Sequence, residues 1–398
     1  MSGPLVGVRI LDMTSVMMGP YATQLLGDFG ADVIKIEAPE GDILRHAGAM
    51  KNPAMGYIFM HANRNKRSVA LDLKKDSALS VLKRLIARSD VLVYSLRPKA
   101  MESLGLSYAD VSAINPTIIY AGGLGFSRHG PYANRPAYDD LIQGMTGIPW
   151  LSQRASGHEP RYMPGAFADR FVGLHLALAI TAAICHRQKT GCGQAVDVPM
   201  FECMASLVLG EHLGGLTFDP ANDDVGYRRT LARDRRPYRT QDGYICALIY
   251  TDRQWRNFFK AIDREDIFDS DPRFATPASR SNNVEEIYAL LQSILITRST
   301  AEWISLLQGA DIPAAPVNTV QDILTDEHLN AIGFFRQESH PTEGKMTTLG
   351  SPIEWSQTKS EVRYPPPRIG AQSVEVLRES GISDQEIESL LSESALIG

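Results

Sequence analysis

The first 125 residues repeat one pattern, in which a short β-branched run, a stretch with helical spacing and another β-branched run follow one another. Val8-Arg9-Ile10-Leu11-Asp12 reads as a strand and Met18-Gly19-Pro20 breaks it. Residues 21–28 have helical spacing, and Val33-Ile34-Lys35-Ile36-Glu37 is the next strand. Strand, helix and strand within about 30 residues make a βαβ unit, and such units predict a parallel sheet. The pattern returns as a strand over 68–73, a helix over 76–87 and a strand over 91–94, then short helices at 101–104 and 108–113 and a strand over 117–121. The expected fold is α/β, with a large doubly wound, Rossmann-like sheet whose ligands bind past the C-terminal ends of the strands. No Gly-x-Gly-x-x-Gly follows the first strand and no Walker loop is present, so the phosphate-binding fingerprint of a nicotinamide or flavin enzyme is missing there.

A chain of 398 residues is long for one core, and two domains are expected. After Ala195-Val196-Asp197-Val198 a helix is expected over 201–216, followed by a polar stretch over 219–242 that holds Arg228, Arg229, Arg233, Arg235, Arg236 and Arg239. A strand over 244–250 and helices over 252–262 and 284–297 follow, and one more helix opens at 299–303 with Thr300 as its cap. Pro313, Pro316 and Val317-Asn318-Thr319 begin a return, and a capped helix closes the chain at 383–391. The expected division is a large domain over 1–225, a small α/β domain over 226–325 and a segment over 326–398 that returns to the large domain.

A net charge of −6 and a pI near 5.9 argue against general nucleic-acid affinity, although a local basic patch can still grip a phosphorylated small molecule. The four cysteines, Cys185, Cys192, Cys203 and Cys246, show no metal-ligand spacing. No metal is therefore expected, and unpaired cysteines at this density suit a reducing cytoplasm. The N-terminus lacks the basic and apolar segments of a signal peptide. The longest apolar run, 171–184, is broken by His175 and flanked by Arg170 and His186, which reads as a buried helix rather than a membrane span.

Asp169 stands immediately before that run. An acid there can satisfy free N–H groups at a helix start. It can also be a carboxylate nucleophile that the same field keeps ionised.

The motifs around it resemble those of class III coenzyme A transferases, the CaiB/BaiF family that includes formyl-CoA:oxalate and carnitine CoA-transferases. Leu11-Asp12-Met13-Thr14 runs through Gly19-Pro20-Tyr21-Ala22, and Leu26-Gly27-Asp28-Phe29-Gly30-Ala31-Asp32 leads into Val33-Ile34-Lys35-Ile36-Glu37. Asn63-Arg64-Asn65-Lys66-Arg67-Ser68, Ser95-Leu96-Arg97-Pro98-Lys99, Gly130-Pro131-Tyr132, Pro136-Ala137-Tyr138-Asp139 and Asp169 follow in family order, and Pro366-Pro367-Arg368-Ile369-Gly370 with Glu375-Val376-Leu377 completes the set. Each piece alone is common, and the set in order over nearly the whole chain is specific.

The resemblance implies that Asp169 attacks an acyl-CoA thioester, and that CoA passes from a donor such as succinyl-CoA to a carboxylic acid through aspartyl anhydride and aspartyl-CoA thioester intermediates. It implies that Val16, Met17 and Met18 line the pantetheine and thioester end, that Leu71, Leu73 and Lys74 lie beside the nucleotide together with Ser95, Leu96 and Arg97, and that Tyr138 contacts CoA. CoA would be substrate, with no permanently bound cofactor. The protein would be an interlocked homodimer, each chain threading the other. Two family arginines are replaced, by Ser103 and Ala38, and Arg64, Lys66, Arg67 or Lys99 are candidates to compensate. A related α-methylacyl-CoA racemase would carry a His where Tyr138 stands, and a tyrosine of pKa about 10 is a poor base at neutral pH. His129 sits nearby in a Gly-Pro turn. No glycine run matches the formyl-CoA member's mobile loop. The arginines over 228–239 could pair with the second carboxylate of a dicarboxylic acid. The acids exchanged, the oxyanion donors and the choice between inter- and intramolecular transfer stay open at this stage.

Overall fold

The computed structural model describes residues 3–398, which form two compact units. Of the described residues, the first comprises 3–146, Met163–Leu207 and Ile332–Gly398, and the second Gly147–Tyr162 and Val208–Ala331. The second unit is thus wider than the 226–325 span read from the sequence.

The first unit is built on a seven-stranded sheet. Six of its strands are β1 (Arg9–Met13), β2 (Asp32–Glu37), β3 (Lys66–Leu71), β4 (Val91–Tyr94), β5 (Ile119–Leu124) and β6 (Gln194–Pro199). They are parallel and run β3-β2-β1-β4-β5-β6 across the sheet. The C-terminal strand Leu396–Ile397 pairs antiparallel with β3 at the edge. Helices cover a parallel sheet on both faces, so its central strands read as continuous apolar runs. Accordingly Ile10, Leu11, Ile34, Leu92 and Val93 are all at 0–1% exposure. The helix Asp76–Ile86 shows the amphipathic logic. Ala78, Val81, Leu82, Leu85 and Ile86 are buried on one stripe, while Asp76 opens the first turn and Lys83 and Arg84 close the last, each complementing the helix dipole. Each fully buried leucine contributes about 2 kcal/mol.

The longest helix spans Phe167–Thr190 and ends at Gly191 in the left-handed conformation. It packs on α1 (Met18–Asp28) through Gly173, where a Cβ would lie 2.7 Å from the carbonyl oxygen of Met18. The helix extends beyond the 171–184 run, and by length and composition it could cross a membrane. In this fold Val172, Leu176, Ile180 and Ile184 are buried, whereas Leu174 and Leu178 are 50% and 68% exposed.

In the second unit a three-stranded antiparallel sheet (Tyr238–Arg239, Tyr244–Ala247, Ala314–Pro316) stands with the helices Asp252–Ala261, Val284–Leu295 and Thr300–Gly309. Its core centres on Trp255, Phe258, Phe259, Phe274 and Trp303. Two expectations are corrected. The cap of the helix at 300 is Ser299, whose Oγ accepts the Glu302 N–H while the Glu302 carboxylate accepts the Ser299 N–H. The segment at 313–317 does not begin the return, because Ala314–Pro316 adds an edge strand to this sheet.

Candidate active site

Strand order reverses at β1, whose neighbours are β2 on one side and β4 on the other. The segments leaving β1 and β4 therefore part from each other, and the crevice between them is where an open α/β sheet binds its ligand. Two cavities occupy this edge. One, of about 230 Å³, is lined by Ser15, Val16 and Met18 after β1, Ser95, Leu96 and Arg97 after β4, Gly123 and Gly125 at β5, Arg135, Tyr138 and Asp169. The other, of about 540 Å³, is lined by Thr14, Ser15, Lys35, Leu71, Leu73, Lys74 and Leu96. Ser15 and Leu96 line both.

Nearly all the residues singled out from the sequence gather here, split between the two cavities. Val16, Met18, Ser95, Arg97, Tyr138 and Asp169 face the smaller one, Leu71, Leu73 and Lys74 the larger, and Leu96 both. Met17 lines neither cavity and is buried, at 5% exposure, as the residue that precedes α1. His129 is exposed and does not line the Asp169 cavity.

Asp169 is the third residue of the long helix, whose N-cap residue Ala166 supplies no side-chain hydrogen bond. The cap comes from elsewhere, since the backbone N–H of Asp169 donates to Oδ1 of Asp139 at 2.9 Å. Oδ2 of Asp139 accepts from Nε2 of Gln143 at 2.6 Å, and Oε1 of Gln143 accepts from the Met163 N–H at 2.9 Å. Gln143 is at 0% exposure, so this relay is fixed within the fold and holds both the helix start and the loop leading into it. The Asp169 carboxyl is partly buried and its pKa is pushed up to about 7. Burial is the main cause and the Asp139 charge adds to it, against the opposing pull of Arg170. The expectation that the helix start keeps this acid firmly ionised is thereby corrected. The Pro136-Ala137-Tyr138-Asp139 motif gives no sign of this role for Asp139, and no motif points to Arg135, which also faces Asp169's cavity and stacks 4.0 Å over Tyr132.

The proposed compensating cations are corrected as well. Lys66 is fully buried and its ammonium donates to Oδ2 of Asp12 at 3.0 Å. Arg64 pairs with Asp28 at 2.7 Å, and Arg67 with Asp32, Glu375 and Glu379. All three are committed within the protein, which leaves exposed Lys99 of the four. Ala38 does line the larger cavity, whereas Ser103 lies outside both and donates its hydroxyl to the Lys99 carbonyl. Among the arginines of the 228–239 stretch, Arg228 pairs with Asp223, and Arg229, Arg235 and Arg236 line a separate cavity of about 660 Å³ in the second unit.

An acid of raised pKa beside a basic residue and a small cavity, with a larger cavity alongside that shares Ser15 and Leu96 in its lining, suits chemistry on an elongated anionic ligand. The chain is 32% identical to succinyl-CoA:glutarate CoA-transferase of Mus musculus, covering 94% of this chain and 86% of that protein. It is 31% identical to formyl-CoA:oxalate CoA-transferase of Escherichia coli, with full coverage of both. Among solved structures, a CaiB/BaiF family protein from Brucella suis superposes with a TM-score of 0.80 at 29% identity over 96% of this chain and 100% of that one. The sequence model of CoA-transferase family III matches residues 5–373, and the chain belongs to that family.

Proposed function

We propose that Asp169 is the nucleophile of a CoA transfer between carboxylic acids. The observation that carries this reading is its position. It is the acid of raised pKa in a cavity also lined by the residues that leave β1 and β4. An Asp169 oxygen attacks the thioester carbonyl carbon. The tetrahedral oxyanion collapses, the C–S bond breaks, and CoA leaves as thiolate from a mixed anhydride. The thiolate then attacks the aspartyl carbonyl and releases the donor acid, giving an aspartyl-CoA thioester. The acceptor carboxylate attacks that thioester, breaking the C–S bond, expelling CoA thiolate and forming a second mixed anhydride; the thiolate attacks the acceptor's carbonyl in that anhydride, giving the new acyl-CoA and freeing the Asp169 carboxylate. Each intermediate is itself an activated acyl group, so no ATP is needed. A carboxylate of pKa about 7 is half ionised at neutrality and a better nucleophile than an ordinary aspartate. The first N–H groups of α1, which no side chain caps, and the backbone near Gly123 and Gly125 are the natural oxyanion donors.

In this reading the larger cavity takes the nucleotide end of CoA, with Lys74 at the phosphates and Leu71 and Leu73 against the apolar parts. The resemblance puts Arg97 beside the nucleotide; because it lines the smaller cavity, this reading moves it to the thioester end with Tyr138, beside Val16 and Met18. The racemase alternative is disfavoured because Tyr138, not a histidine, lines the Asp169 cavity. Succinyl-CoA with a dicarboxylic acceptor is the preferred substrate pair, supported by the mouse relative's name. The protein would work as an interlocked homodimer in the cytoplasm, without membrane or nucleic acid. The exposed Leu174 and Leu178 support a second copy as the cover of the long helix.

The test is to trap the intermediates. Incubation with acyl-CoA followed by hydroxylamine or borohydride modifies Asp169, detected by peptide mass. Asp169→Asn abolishes both the adduct and transfer. Absence of any adduct on a turning-over enzyme, or exchange of the substrate α-hydrogen with deuterated water, would refute the assignment.

A further inference from the structure

The turn between β1 and α1 holds a conformation that its own side chain resists. Val16 has φ of 69°, in the left-handed region where a β-branched residue is an outlier. The hold comes from outside the turn. The Val16 N–H donates to Oδ1 of Asp42 at 3.2 Å, and the Ser15 N–H donates to Oγ of Ser95 at 3.1 Å. The Thr14 amide and hydroxyl both donate to Oδ1 of Asp12, at 2.9 and 2.5 Å.

Lys35 links these anchors. Its ammonium donates to the Thr14 carbonyl at 2.9 Å and to Oδ2 of Asp42 at 3.1 Å. The Lys35 and Asp42 side chains are 0% and 1% exposed, so neither group exchanges its partner for water. One buried cation therefore grips the chain before Val16 and also the carboxylate that grips Val16 itself. Asp42 is immobilised in turn by accepting the Leu44 N–H as cap of the turn Ile43–His46. At the far end of the turn, Lys66 donates to the Pro20 carbonyl at 2.9 Å and to Asp12.

This turn is a wall of the site. Ser15 lines both cavities, Val16 and Met18 line the one with Asp169, and Thr14, Lys35 and Asp42 line the other. Strained backbone persists only where its surroundings over-determine it, and it gathers at ligand sites. If φ of Val16 relaxed to negative values, the adjoining peptide would rotate and the wall between the cavities would move. We propose that Lys35 and Asp42 are positioning residues for the acyl-CoA site, holding Val16 in its left-handed conformation so that the wall the turn gives to the two cavities keeps its shape. The proposal rests on the CoA-transfer reading for the identity of the ligand.

The test exploits glycine, which reaches positive φ without being held there. CoA affinity is measured by equilibrium titration of the full chain, and acyl-CoA KM and kcat separately. Asp42→Ala and Lys35→Met each weaken CoA binding by about tenfold. In a Val16→Gly background the same substitutions cost about twofold or less. Equal losses in both backgrounds would overturn the proposal, since the pair would then act on something other than the turn. If Asp42→Ala or Lys35→Met does not accumulate as folded protein, recovery of soluble protein by adding Val16→Gly supports the proposal, and failure to recover it counts against it. CoA binding requires no turnover. A wild-type enzyme that never yields an Asp169 adduct would therefore sink the transfer chemistry and leave this coupling measurable.

Discussion

The backbone N–H of Asp169 donates to the carboxylate of Asp139 at 2.9 Å, so one aspartate aims the helix turn that carries the other and also raises its proton affinity. These two effects separate in experiment. As the proposed nucleophile Asp169 must be ionised to attack, and with its pKa pushed up to about 7 the expected kcat/KM rises as pH increases through that value and levels off above it. Asp139→Asn keeps an oxygen that can accept the N–H but removes the charge. Its pH–rate midpoint moves to lower pH with a modest change in the plateau. Asp139→Ala removes both and lowers the plateau by about tenfold or more. A midpoint that stays in place in Asp139→Asn would assign the raised pKa to burial alone.

The same proton links to stability with a definite sign. A carboxyl whose folded pKa exceeds its unfolded value holds its proton more tightly when folded. Ionising Asp169 therefore costs stability as pH rises from its ordinary value of 3.8 to about 7. Urea unfolding midpoints across that window fall less steeply in Asp169→Asn than in the wild type. Identical slopes would mean that the folded environment does not perturb this acid.

Gly173 stands one turn after Asp169, where the long helix crosses α1, and a Cβ there would meet the Met18 carbonyl oxygen at 2.7 Å. Backbone cannot step aside as a side-chain end can. Gly173→Ala pushes the helix away from the start of α1 and destabilises the fold by about 1–3 kcal/mol despite alanine's better helix propensity. Asp169 moves with the helix, so kcat falls more than KM rises. Denaturant unfolding and steady-state kinetics on the same variant check both halves.

How far the sequence carries depends on which interactions are local. β4 was placed at its observed ends because Val91-Leu92-Val93-Tyr94 is apolar throughout and bounded by polar residues. The expected start of β3 at 68 misses Lys66 and Arg67, since two adjacent cations read as a loop. They belong to the strand because Asp12 and Asp32 receive their charges across it. The expected end of β5 at 121 stops short of Gly122-Gly123-Leu124, glycine being weak in strands. A Cβ at Gly122 would lie 2.5 Å from the Tyr94 hydroxyl, and the strand needs glycine for that close approach. The C-terminal strand Leu396–Ile397 has two residues and no period to detect. The residues that line the two cavities on the turns after β1, β3 and β4, and Asp169 with them, are reached through motif resemblance rather than through local spacing. Asp139's role is reached through neither, because a carboxylate that caps a helix 30 residues away leaves no mark in local spacing.

Lys74 lines the larger cavity and Arg97 the smaller, and both are exposed at the cavity mouths. Exposed cations at an anionic ligand act mainly on binding and are screened by salt. Lys74→Ala and Arg97→Ala each raise the acyl-CoA KM by about three- to tenfold, and the wild-type KM rises with ionic strength more steeply than that of either variant. An acyl-CoA KM untouched by both substitutions would mean that the nucleotide does not occupy the larger cavity.

Leu174 and Leu178 lie four residues apart on the exposed side of the long helix, at 50% and 68% exposure, opposite the stripe that packs on the sheet. Two leucines at that spacing form one apolar strip, and such a strip on a globular protein marks an interaction surface. If a second copy covers it, a charge placed there must be desolvated on assembly. Leu178→Asp then lowers the sedimentation-equilibrium mass from two chains to one at micromolar concentration, whereas Leu178→Met leaves it unchanged. The monomer also loses thermal stability that depends on protein concentration in the wild type. A wild-type protein that sediments as one chain, or a Leu178→Asp variant that stays fully dimeric, would assign this strip to another role.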